Sequence, residues 1–92
     1  MFIVVNCFTK GGVDECGRFE IHDEAFKWIA ENVKNCYDFD LMSVYPFDDN
    51  SSPLVYSDST VSVLAGDNWC TCYHRDYNYR NDYTDYYLII EA

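Results

Sequence analysis

The chain reads as one α+β domain, residues 1–92, with a mostly antiparallel sheet of four to six strands and one helix packed on one face. Two observations predict it. Apolar residues make up 49% of 92 residues, enough for one modest core. A single segment repeats its apolar residues at helical spacing, while the segments around it alternate with period two or run apolar between Gly, Asn, Asp and Pro.

The first element is the apolar run from Phe2 to Thr9, which reads as a buried central strand. Gly11-Gly12 turns it, too short a glycine run for a phosphate loop, and Gly17 to His22 alternates as the returning strand of a hairpin. Asp23 suits a helix N-cap, with His22 just before it at the surface or in the cap. Ala25, Phe26, Ile29, Ala30 and Val33 follow at helical spacing, Lys34 suits the last turn, and Asn35 suits the end. Beyond Asn35 the period changes to two. Tyr37, Phe39, Leu41, Tyr45 and Phe47 take one parity and Asp38, Asp40 and Asp48 the other. That pattern predicts a strand with one wet face, ending near Tyr45 because Pro46 cannot serve a central ladder. Residues 48–53 are turn-formers, Leu54 to Tyr56 is a short strand, and Thr60 to Ala65 is a better one. Gly66-Asp67-Asn68 makes a tight turn into Trp69 to Arg75, residues 76–82 form a polar aromatic loop, and Tyr83 to Ile90 is the last strand. The sheet face opposite the helix meets water, and acids and tyrosines suit that role.

The charge is lopsided. Eleven Asp and five Glu oppose six Lys and Arg, for a net charge of -10 and a pI near 4.2. Nine Tyr and two Trp mark a folded chain rather than a disordered acidic tail. A folded surface this negative repels nucleic acid and membrane phosphates and attracts basic protein grooves, whose usual owners bind DNA or RNA. Same-face residues two apart on a strand are separated by about 6.6 Å, close to twice the ~3.4 Å rise per nucleotide. Asp38 and Asp40 have that spacing, and Asp48 and Asp49 approach it across a turn. Asp58, Asp67, Asp76, Asp82 and Asp85 fall in or beside turns and strand ends. Short Asp side chains hold charge close to the backbone, and the neighbouring tyrosines add rigid contact area. The expected contact set is Asp38, Asp40, Asp48, Asp49, Asp76, Asp82 and Asp85, with Tyr77, Tyr79 and Tyr83 for packing. The plainer reading of the same charge is a domain kept soluble by its acids.

Five cysteines are an odd number, and the start of the chain has no basic segment ahead of its apolar run. A reducing cytoplasm with free thiols is expected, and no stretch reaches the ~18 apolar residues of a membrane span. Cys70, Cys72 and His74 share a strand face and suggest zinc, but a Cys-Thr-Cys spacing lacks the knuckle that zinc pairs use. Cys7, Cys36, Cys70 and Cys72 read as small core hydrophobes instead. A Cys72–His74 nucleophile pair lacks a third partner. No metal, cofactor or enzyme activity is expected.

Phe2-Ile3-Val4-Val5-Asn6, Gly11-Gly12, Gly17-Arg18-Phe19-Glu20, the helix from Asp23 and Tyr37-Asp38-Phe39-Asp40 follow one another in an order similar to the first module of ArdA-type anti-restriction proteins. The short, acidic, aromatic-rich whole resembles small phage and mobile-element inhibitors of bacterial defence, the anti-CRISPR proteins above all. The resemblance implies an inhibitor in the bacterial host cytoplasm that binds the basic groove of a CRISPR effector, or else of a restriction nuclease, and touches neither nucleic acid nor membrane itself. A small regulatory module of the antitoxin kind is the alternative from another class, and a zinc-binding protein the remotest.

Overall fold

The computed structural model describes residues 1–8, 12–45, 54–74 and 83–92, for Phe8 and Tyr83 the backbone alone. Among the described residues six strands form one antiparallel sheet: β1 (Phe2–Phe8), β2 (Val13–Phe19), β3 (Leu54–Ser57), β4 (Val61–Gly66), β5 (Trp69–His74) and β6 (Tyr83–Glu91), in the spatial order β2-β1-β6-β5-β4-β3. One helix, α1 (His22–Tyr37), lies across one face. The fold is the α+β arrangement that the change of period predicts.

The chain's first and last strands meet in the middle of the sheet. Val4 faces Ile89 and Val5 faces Leu88 in the β1–β6 ladder. The β1–β2 hairpin carries a bulge, since Val4 pairs with Gly17 and Val5 with Glu15. Cys16 is the extra residue and packs against the core. Strand β2 runs from Val13 rather than Gly17, because residues 13–15 pair with Cys7, Asn6 and Val5. It stops at Phe19 because the chain must turn into the helix. Gly66 and Trp69 close a two-residue turn, and the Trp69 indole lies where any side chain on Gly66 would stand.

The helix is longer than the sequence suggests at both ends. Ile21, not Asp23, holds the N-cap position and has no side-chain cap; its carbonyl accepts from the backbone of Glu24 at 3.2 Å and Ala25 at 3.3 Å. At the other end Tyr37 is still helical. The strand expected from Tyr37 to Tyr45 does not form. Asp38 turns left-handed, and Leu41–Val44 make a 3-10 turn. The alternation of burial is nonetheless real: Tyr37 and Leu41 are buried, Phe39 and Tyr45 half-buried, Asp38 and Asp40 exposed. Here a helix end, a left-handed residue and the start of a 3-10 turn produce that alternation, so it requires no ladder.

The core lies between α1 and one sheet face. Phe26, Ile29 and Val33 of the helix meet Val4, Val63, Cys70, Cys72 and Ile89 of the strands. Side chains of the other parity point to the opposite face. Ile3, Val5, Trp69, Tyr86 and Leu88 are half-buried there, and Ile90 is 43% exposed. Tyr73 and Tyr86 lie on this face as expected, but the expected acids do not: in the described strands its charged residues are Glu15 and Arg18 alone, joined at 2.6 Å. β1 is interior to the sheet but buried on one face only.

Candidate acidic interaction site

The site is built where α1 ends. The Asp38 backbone N–H donates to the Lys34 carbonyl at 3.0 Å while Asp38 itself adopts φ 55° and ψ 38°. Asp is one of the few residues with a side chain that tolerates this conformation. The reversal carries Phe39 onto Tyr56 of β3, the rings stacked at 4.8 Å and 18°. The Asp40 carbonyl then accepts from the Ser43 backbone at 3.2 Å and from Ser43 Oγ at 2.7 Å, which starts the 3-10 turn whose Leu41 is fully buried. Asp38 and Asp40 are thus exposed on either side of an anchored aromatic ring. Among the described residues no hydrogen bond or ion pair engages either carboxylate.

Asp58, in the turn after β3, completes the cluster. Its Oδ2 accepts from Tyr56 Oη at 2.6 Å. Its Oδ1 accepts from the backbone of Thr60 at 2.7 Å and Val61 at 2.8 Å, and from Thr60 Oγ1 at 3.1 Å. The Tyr56 phenol first, then the two backbone donors, hold the Asp58 carboxyl well below the usual carboxylate range. The Tyr56 phenol is raised in turn, by that bond first, with burial and the Asp58 and Asp38 charges adding to it. Asp38, Asp40 and Asp58 therefore surround one stacked aromatic pair. The signal for Asp58 is in the sequence: an Asp two residues before Thr60 makes an Asx turn.

A second acidic group, at the start of α1, is used by the fold. His22 Nε2 donates to the Asp67 carbonyl at 2.7 Å and lies 2.9 Å from Asn68 Oδ1. Since a carbonyl only accepts, Nε2 carries the proton. The Asn68 carbonyl accepts from the backbone of Ile89 at 2.7 Å. Tyr45 Oη donates to Asp23 Oδ1 at 2.6 Å. That bond first, then burial and the Asp23 and Asp67 charges, push the Tyr45 phenol up to about 12. These contacts tie the helix start to the β4–β5 turn and to the segment after the 3-10 turn.

The remaining expected contact residues divide in two. Asp85 lies on the helix-facing side of β6, opposite Cys72, and accepts a hydrogen bond from Tyr37 Oη. Its carboxylate serves the packing of the helix on the sheet. Tyr83 opens β6, and Asp48, Asp49, Asp76, Tyr77, Tyr79 and Asp82 lie outside the described residues.

The cysteines separate as well. Cys70 and Cys72 are fully buried with Sγ atoms 3.9 Å apart. Cys36 is exposed and Cys7 half-buried on the open sheet face, so neither is the core residue expected. The contact with Cys70, then burial, keep the Cys72 thiol protonated. Among the described residues no group of three or more His, Cys, Asp or Glu is placed to hold a metal, and no helix is long and apolar enough to cross a membrane. The chain matches no protein-family model, no curated protein and no solved structure.

Proposed function

We propose that the protein is a phage-encoded inhibitor of a bacterial immune nuclease, an anti-CRISPR protein, acting as an acidic mimic that occupies a basic nucleic-acid-binding groove. The observation that carries the reading is the setting of Asp38 and Asp40. Asp38 stands at the negative end of the α1 dipole, where an acid costs about 0.3–1 kcal/mol rather than adding stability, and Asp40 follows it two residues on, at the start of the 3-10 turn. Among the described residues no ion pair engages either carboxylate, although Lys34 lies in the last turn of α1. Two exposed carboxylates outside any ion pair, held on either side of a rigid aromatic stack, suit a partner that supplies cations. Arg and Lys that normally hold phosphates do so, and Arg takes a carboxylate in two parallel hydrogen bonds.

The test is binding to purified guide-loaded CRISPR effectors, with a restriction nuclease in parallel. Binding weakens as salt rises, since exposed charges are screened over about 8 Å at physiological ionic strength. Asp38→Asn with Asp40→Asn weakens it far more than Glu24→Gln with Glu31→Gln on the helix, because truncating a desolvated pair costs about 2–5 kcal/mol whereas rim charges mainly alter the on-rate. Equal small losses at both pairs of positions refute the assignment.

A further inference from the structure

The open sheet face carries the second inference, which is independent of the acidic site. We infer that two copies of the chain pack these faces together, giving a symmetric sandwich with both helices outside.

An antiparallel sheet with one wet face alternates apolar with polar residues. The two central strands here do not. On the face away from α1, β1 presents Ile3 and Val5, and β6 presents Tyr86, Leu88 and Ile90. Leu88 lies between Val5 on one side and Trp69 on the other. None of these side chains belongs to the core under the helix or packs against it. The apolar surface is therefore continuous across three strands and is left uncovered by the helix.

Charge decides the occupant. A two-fold contact sets each patch against itself, residue i meeting j and j meeting i, so the net charge of the patch is doubled in the interface. On a chain of net charge -10 such a contact is open only where the patch is neutral. The described strands meet that condition on this face, where Glu15 and Arg18 cancel as a pair at 2.6 Å. A basic partner finds nothing to pair with here and is directed to the helix ends instead. The whole face, six strands at ~4.8 Å and about 22 Å of strand length, gives roughly 600 Å² in flat projection, and its apolar part across three strands about half of that, which places the contact at the small end of specific interfaces. Aligned sheets stack about 10 Å apart, which leaves Asp38, Asp40 and Asp58 of both copies on the outside.

Sedimentation equilibrium over a micromolar concentration series tests this. The wild type has twice the 10.8 kDa of one chain. Leu88→Lys and Val5→Glu reduce it to one chain with the far-UV circular dichroism unchanged. Ile90→Lys, at a position already 43% exposed, folds even if the central variants do not, and weakens the dimer by about tenfold. Lys27→Glu, on the exposed side of α1, leaves the mass unchanged. A wild type that stays monomeric, alone or while holding a different protein on this face, overturns the inference. So does a dimer whose affinity is unchanged in both Ile90→Lys and Leu88→Lys, since its contact then lies elsewhere.

Discussion

Asp58 and Asp38 show what one carboxylate does when the backbone either uses it or leaves it alone. Asp58 takes four hydrogen bonds and orders a turn; Asp38 is exposed and takes none among the described residues. Both are Asp in turn-forming sequence, and composition alone does not separate them. What separates them is Thr60 two residues after Asp58, which fits an Asx turn, and the position of Asp38 at a helix end. Asp85 is the reverse lesson. Its place in a Tyr-and-Asp-rich stretch suggests a contact residue, but strand parity turns it toward Tyr37, so Asp85→Asn disturbs packing as well as charge. Tyr45 gives a titration at this scale. Its phenol is raised from 10.0 to about 12, so folding favours the protonated form. The stabilisation is complete below pH 10, the unfolded value, and is lost as pH rises through about 12. Tyr45→Phe therefore flattens the fall of melting temperature in that window, and an unchanged alkaline profile in this variant contradicts the Tyr45–Asp23 bond.

The helix and the segment after it are the elements where reading the sequence succeeded and failed side by side. The apolar spacing from Ala25 to Val33 places α1 correctly, because burial of one stripe is what makes it helical. Its end was not legible, since Tyr37 belongs to two patterns at once. It is four residues after Val33 on the helical stripe and two before Phe39 in the alternation. Its start was hidden for another reason: Ile21 caps with its carbonyl alone, which leaves no polar residue to mark it. The β4–β5 hairpin was legible from the turn residues at 66–68 and β6 from its apolar end, Leu88-Ile89-Ile90. The left-handed Asp38 supplies a prediction for this element. A non-glycine residue in that conformation costs roughly 1–2 kcal/mol, less for Asp or Asn. Asp38→Gly raises the melting temperature, Asp38→Asn changes it little, and Asp38→Val lowers it. Thermal denaturation reads all three, and a glycine variant less stable than the parent refutes the cap. The same series makes Asn the right replacement in binding work, since it removes the charge and keeps the turn.

At the scale of the whole molecule the sheet divides two kinds of surface. The helix side and the turns carry most of the described acids; in the described strands the other face is apolar along β1 and β6 and has Glu15 and Arg18 as its charged residues. The net charge of -10 was legible from composition, but its distribution was not. Apolar residues of both parities in β1 and β6 are compatible with burial on two faces, and a sequence cannot say which face a helix will cover. Segregation of this kind permits one chain to meet a basic partner and a second copy at once, because the two contacts use different faces. The central claim is that the acids stand in for nucleic-acid phosphates, and competition tests it most directly. A guide-loaded CRISPR effector is offered the protein before and after it has bound target DNA, and retention is measured at one fixed salt concentration. The account predicts strong retention on the free effector, loss on the DNA-loaded effector, and loss on both with Asp38→Asn and Asp40→Asn. Equal retention with and without bound DNA contradicts it.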